Sequence, residues 1–243
     1  MTDKFIGDLK LMEACRRGGC PVCGYVRQES RNQLDALLYG HVTDPDTRRR
    51  LRESWGLCNW HTWMLLDVDT SLFGASIVYE DLLREAIDRV DGMPGSTRGR
   101  GFFSWLTRRG GADARPASCS FCLTAAEHER QCLLTFMKFV DDGDLQAAYA
   151  SSDPMCLPHL VRAVELAPGS AELRVLVDRT IKKWKAIRSD LRSFIEKHDY
   201  RNEAAYTKED AASYARAFEI LAGANGLFGN DLRQSRATFI AWF

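Results

Sequence analysis

Two stretches of the chain repeat apolar residues at helical intervals. Leu34, Leu37 and Leu38 follow an i, i+3, i+4 spacing, and Leu133, Phe136, Met137 and Val140 extend the same pattern to i+7. A turn-forming cluster follows each stretch, Thr43-Asp44-Pro45-Asp46 in the first and Asp141-Asp142-Gly143-Asp144 in the second. A short polar helix is predicted after each turn. Longer helices are predicted over residues 71–90 and 171–198. The second of these sets Leu173, Leu176, Val177, Ile181, Trp184, Ile187, Leu191 and Ile195 along one side. Alternating apolar–polar runs between turn residues are nearly absent, which leaves little signal for strands. The fold class read from this pattern is all-α.

The two stretches belong to a longer repeat. Residues 20–66 and 119–166 each open with C-x-x-C and reach a C-x-x-H, after 34 intervening residues (24–57) in the first and 33 (123–155) in the second. Arg31 and Arg130 occupy matching positions after the second cysteine, as do Leu34 and Leu133. The chain therefore reads as two tandem helical repeats, each pinned by a metal, followed by a C-terminal helix.

The metal is implied by chemistry. Two ligands three residues apart at a helix start face the same way, so two such pairs can surround one ion. Three thiolates and one imidazole make a common donor set for structural zinc. The predicted ligands are Cys20, Cys23, Cys58 and His61 in the first repeat and Cys119, Cys122, Cys156 and His159 in the second. That predicts two Zn2+ ions per chain. Pairing within a repeat closes shorter loops and is favoured modestly. The crossed alternative, in which Cys20 and Cys23 meet Cys156 and His159, stays open. An iron–sulfur cluster is the alternative cofactor, although such clusters usually take four cysteines. Cys132 reads as core and Cys15 as a spare thiol, while His41, His128 and His198 read as surface or capping residues.

The repeats divide the chain into residues 1–91, a Gly- and Arg-rich linker at 92–118 and residues 119–243. The linker reads as flexible and holds five arginines against one aspartate. Phe102, Phe103, Trp105 and Leu106 within it form a candidate docking patch or a turn tucked against the protein's own surface. Lys+Arg and Asp+Glu both number 33, so the formal net charge is zero and nucleic acid is a poor candidate partner. A nucleic-acid binder would use Arg48, Arg49, Arg50, Arg52 and the linker arginines, but the run Arg48–Arg50 reads as a solvated helix face. The first ten residues, MTDKFIGDLK, hold no apolar signal segment, and no apolar run approaches the ~18 residues of a membrane span. With eight cysteines expected as thiols or thiolates, this points to a cytoplasmic bacterial protein. No nucleophile–base pair, phosphate loop or paired-carboxylate motif marks an enzyme. The function read from the sequence is a non-enzymatic zinc protein, an adaptor or accessory subunit for a protein partner. An iron–sulfur redox subunit is the alternative.

The chain resembles a bacterial family known only as a domain of unknown function, whose members carry CPxC, GxCxxH, CxxC and GxCxPH motifs and a K-x-DYRN segment. Here these are Cys20-Pro21-Val22-Cys23, Gly56-Leu57-Cys58-Asn59-Trp60-His61, Cys119-Ser120-Phe121-Cys122, Cys156-Leu157-Pro158-His159 and Lys197-His198-Asp199-Tyr200-Arg201-Asn202. A last helix is expected near residues 211–223. The second GxC is absent, replaced by Pro154-Met155-Cys156, and the linker is longer and richer in Arg and Gly than the resemblance suggests. The resemblance supports the duplication and the eight ligands, and it implies no activity. His198, Asp199, Tyr200 and Arg201 read as a helix cap and turn leading to the final helix.

Overall fold

Helix follows helix because the polar turns end in residues that cap what comes next. The computed structural model describes residues 6–54, 56–68, 71–91, 119–199 and 201–228, and among them ten α-helices and no strand. They are α1 (Ile6–Arg16), α2 (Pro21–Ala36), α3 (Pro45–Glu53), α4 (Asn59–Met64), α5 (Ser71–Asp91), α6 (Ser120–Lys138), α7 (Gly143–Ser151), α8 (Leu157–Leu166), α9 (Ala171–Lys197) and α10 (Lys208–Ala222). Asp44 accepts from the Thr47 amide at 2.8 Å and starts α3, with Pro45 in the first turn. Asp142 accepts from the Asp144 and Leu145 amides, both at 3.0 Å, and starts α7. Ser170 does the same for α9 through the Leu173 amide at 3.1 Å. Thr207 and Asp210 form a reciprocal capping box at the start of α10.

The predicted elements are found with small shifts. α5 and α9 end within a residue of the predicted bounds, and the last helix runs from Lys208 to Ala222. Leu34, Leu37 and Leu38 are buried as expected, but α2 ends at Ala36 and Leu37–His41 form a π-helical turn. Along α9 the buried positions are Leu173, Leu176, Thr180 and Ile187, whereas Ile181 and Ile195 stay exposed, so the apolar side is only partly covered. The predicted linker at 92–118, with Phe102, Phe103, Trp105 and Leu106, and Tyr200 lie outside the described residues.

The chain forms two compact units, and their bounds differ from those of the sequence repeats. Unit 1 is Met1–Gln28 with Glu127–Phe243, and unit 2 is Glu29–Ala126. In chain order the second is therefore inserted into the first. In unit 1, α1 packs on α7, and α9 and α10 pack on each other and on α8. Its core includes Leu11, Val22, Leu133, Phe136, Met155 and Leu176, all at 1% exposure or less. In unit 2, Leu34, Leu38, Leu51, Leu57, Met64, Leu65 and Val78 share one core.

Unit 2 also shows what the arginine run does. Asp81 on α5 is only 3% exposed, and Arg52 grips it with two hydrogen bonds at 2.8 and 2.7 Å. Arg84 pairs with the same carboxylate, and Arg48 reaches it at 4.0 Å while donating to the Val42 and Ile77 carbonyls. Only Arg49 and Arg50 match the predicted solvated face, bonding locally to Asp46 and Thr47. Asp81→Ala is expected to leave these guanidinium groups uncompensated. The loss should be about 2 kcal/mol, below the usual 3–5 kcal/mol for a buried pair because Arg52 and Arg84 are partly solvated. Chemical denaturation of the variant measures it.

Candidate metal centres

All four Cys-x-x-(Cys/His) pairs occupy the same local position. The carbonyls of Cys20, Cys58, Cys119 and Cys156 accept the first i+4 helical hydrogen bonds, from Gly24, Thr62, Leu123 and Leu160 at 3.0, 2.9, 3.3 and 3.0 Å. Each first cysteine is thus the N-cap of its helix, and the residue three positions on lies in the first turn. This is the spacing of a capping box, with sulfur and imidazole in place of hydroxyl and carboxylate. Neither Cys58 nor Cys156 spends its side chain on capping its own helix. The positive end of each helix favours the thiolate form there.

The structure brings these pairs together in two clusters, and the pairing is crossed. Cys20, Cys23, Cys156 and His159 form centre A, within unit 1. Cys58, His61, Cys119 and Cys122 form centre B, within unit 2. The within-repeat sets favoured by loop length are corrected by this arrangement, and all eight predicted residues fall in the two groups. The first pair meets the fourth and the second meets the third, so the centres are nested along the chain.

In centre A the imidazole Nδ1 of His159 lies 3.5 Å from Cys20 Sγ, 3.4 Å from Cys23 Sγ and 3.1 Å from Cys156 Sγ, and Cys23 and Cys156 are 3.8 Å apart. Around these ligands stands a second layer of contacts. His159 Nε2 lies 2.8 Å from Glu129 Oε1, close to the carboxylate but not lined up as a hydrogen bond, and Arg162 pairs with the other carboxylate oxygen. The Ala224 amide donates to Cys23 Sγ at 3.4 Å. Phe228 places its ring 4.9 Å from the His159 ring. The loops that enter the centre are tied to each other: Asp153 accepts from the Gly19 amide at 2.8 Å and from Arg216 at 3.0 Å.

Gly223 makes the Phe228 contact available. Its φ of +75° and ψ of −175° suit glycine alone, and a Cβ there would meet the Phe228 ring at 2.3 Å. Gly223→Ala is expected to cost about 1–3 kcal/mol and to lift Phe228 from His159. Denaturant unfolding reads the stability, and the environment of the histidine ring by NMR reads the displacement.

In centre B, His61 Nδ1 is 3.2 Å from Cys58 Sγ, 3.5 Å from Cys122 Sγ and 3.8 Å from Cys119 Sγ, and Cys58 and Cys122 are 3.4 Å apart. His61 is fully buried between Trp60 and Phe121, whose ring centroids lie at 4.4 and 5.8 Å. Its Nε2 has no hydrogen-bond partner among the described residues. The approach to the two C-x-x-H pairs explains the missing second GxC. Gly56 has a φ of +87° before Cys58, a conformation closed to Pro154. The second approach is held instead by side chains: Tyr149 Oη accepts from the Met155 amide at 3.1 Å, and Trp184 donates to the Met155 carbonyl at 2.9 Å.

The donor geometry fits one ion in each centre. Bonds of about 2.3 Å to sulfur and 2.0–2.1 Å to nitrogen in a tetrahedron place sulfurs about 3.8 Å apart and sulfur about 3.5 Å from nitrogen. Eight of the donor separations run from 3.1 to 3.8 Å, and all four donor atoms of each centre lie within 4.8 Å of one another. The charges fit as well. Burial pulls both imidazoles toward neutrality, but the cysteine sulfurs outweigh it and lift His61 and His159 to about 9. Burial and the neighbouring sulfurs push the Cys156 thiol up, and hydrogen bonds from Cys122 and Cys58 hold Cys119 down. Clustered thiols and imidazole of this kind give up protons when they bind a metal dication.

The remaining predicted residues fall elsewhere. All eight cysteines are thiols rather than disulfides. Cys132 is in the core at 2% exposure, and burial pushes the Cys15 thiol up to about 12, which leaves it inert. His41 is exposed at the end of the π-helical turn, and His128 is partly buried on α6. His198 is the C-cap of α9, and Asp199 pairs with Arg201 at 2.7 Å. Lys197 donates to Asp210 at 2.5 Å and so joins α9 to the capping box of α10. Glu129 is the site residue that sequence reasoning missed. Its signal was an acidic residue in helical register with the buried Ala125, Cys132 and Leu133, and nothing in the chain linked it to His159.

Among the described residues, an all-α fold with two nested Cys3His groups that could each hold a metal points to a metal-binding class of protein. Within that class, the chain belongs to the family described as Family of unknown function (DUF6062), which it matches over residues 4–226. No curated protein and no solved structure matches the chain.

Proposed function

We propose that this is a non-enzymatic protein in which two structural Zn2+ ions organise helical surfaces for a protein partner. The observation that carries the reading is the closed donor set. Each centre offers four protein ligands to one ion, with none of the open positions that a catalytic zinc keeps. An iron–sulfur cluster would distribute its ligands over two or more irons, whereas all four donor atoms of each centre lie within 4.8 Å of one another, as around one ion. The partner is supported by large apolar side chains left in solvent on unit 2, among them Trp63, Leu66, Leu72 and Phe73 at 63, 74, 83 and 79% exposure. A reducing, cytoplasmic setting suits eight cysteines kept as thiols. No helix among the described residues is long and apolar enough to cross a membrane.

Elemental analysis of protein purified without air tests the proposal. The expected result is two zinc ions per chain and no visible absorption. Iron in stoichiometric amount, with charge-transfer bands near 400 nm, would replace zinc with an iron centre. Protein that binds no metal and keeps full helicity would refute the structural role.

A further inference from the structure

We infer that Cys58 and Cys122 form an oxidisable dithiol, and that peroxide joins them in a disulfide and releases the ion of centre B while centre A keeps its own. This rests on the reading of both clusters as metal centres. The two centres have the same donors but unequal protection. Cys20, Cys23, Cys156 and His159 are 4, 2, 0 and 0% exposed, whereas Cys58 and Cys122 are both partly exposed. These two sulfurs are also the close pair in centre B, 3.4 Å apart. They come from different helix starts, so a bond between them needs only a small approach of two thiolates already side by side.

The surroundings reinforce the difference. Centre A has the Glu129–Arg162 pair behind His159, an amide donor on Cys23 and the Phe228 ring over the imidazole. The Nε2 atoms of both histidines lack a hydrogen-bond partner among the described residues, but that of His159 lies 2.8 Å from the Glu129 carboxylate. Contacts of this outer kind hold ligands in place and change metal affinity by about ten- to a hundredfold.

The chemistry balances with a peroxide as oxidant. One thiolate attacks the O–O bond, one oxygen leaves as water after taking a proton, and the sulfur becomes a sulfenic acid. The second thiolate displaces that oxygen, which takes another proton and also leaves as water. The two sulfurs lose two electrons and the peroxide oxygens gain them. Centre B then keeps only Cys119 and His61, too few to hold the ion.

The test treats the zinc-loaded chain with hydrogen peroxide, follows released zinc with a chromophoric chelator and maps disulfides by peptide mass spectrometry without reduction. One ion is expected to leave about ten- to a hundredfold faster than the other. At the plateau between the phases, the Cys58 and Cys122 peptides are joined, and Cys20, Cys23 and Cys156 remain alkylatable after unfolding. Thiol reductant with zinc restores the second ion. C156S, which keeps only centre B, should lose its ion at the fast rate, and C58S, which keeps only centre A, at the slow rate. Two ions leaving together, a slow C156S or a plateau disulfide between other cysteines overturns the inference while the metal reading stands. A purified chain without metal overturns that reading and this inference with it.

Discussion

The double variant Cys23→Ser/Cys156→Ser is expected to retain one zinc ion per chain, and Cys23→Ser/Cys58→Ser none. The first removes two ligands from centre A and leaves Cys58, His61, Cys119 and Cys122 intact. The second removes one ligand from each centre. Pairing within the repeats would reverse the two outcomes, so metal content alone decides between the arrangements. Stability should follow. Structural zinc contributes roughly 10–16 kcal/mol at neutral pH, comparable to the ~5–15 kcal/mol that holds a whole domain together. Each single variant should therefore unfold the unit that holds its centre and spare the other. Cys23→Ser and Cys156→Ser should be nearly equivalent, and their combination should cost little beyond either alone, since the ion can be lost only once. Hydrogen exchange resolved along the described residues would show protection lost in residues 6–28 and 127–228 and kept in unit 2.

Most of the local structure is legible in the sequence because its causes are local. Asp44-Pro45 and Asp142-Gly143 mark helix starts by the groups they offer to free amides, and the structure places α3 and α7 there. The four C-x-x-C and C-x-x-H pairs are legible for the same reason, since N-cap and first-turn positions face one way. Which pair meets which is not local. Loop entropy was the only sequence argument available, and it is weak. Closing residues 24–155 and 62–118 instead of the shorter loops costs only about 1–2 kcal/mol more. Burying a single side chain such as Leu176 or Phe136, both at 1% exposure or less, outweighs that. The arginine run failed as a solvated face for a related reason. Asp81 lies 29 residues beyond Arg52, and nothing in the spacing announces a buried carboxylate waiting for two of the four guanidinium groups. Pro154 in place of the family glycine signalled a different approach to Cys156, but the Tyr149 and Trp184 contacts that supply it come from separate helices.

A chain cut within residues 92–118 should stay in one piece. That stretch separates Cys20, Cys23, Cys58 and His61 on one side from Cys119, Cys122, Cys156 and His159 on the other. Because the pairing is crossed, each group takes two residues from each side of the cut, and an ion held in either would bridge the fragments. Unit 1 likewise takes Met1–Gln28 from one side and Glu127–Phe243 from the other, so its core is shared as well. An engineered protease site in 92–118, cleaved on the native protein, should give two bands on a denaturing gel. Gel filtration should still show one species of the uncut size, with two zinc ions. A strong chelator should then separate the fragments or precipitate them, because the thiols no longer have an ion to converge on and the remaining core must hold both pieces without a covalent link. Adding zinc to the mixed fragments under reducing conditions should restore the complex. Independent, metal-loaded halves released by the cut alone would mean that the ligands pair within the repeats after all.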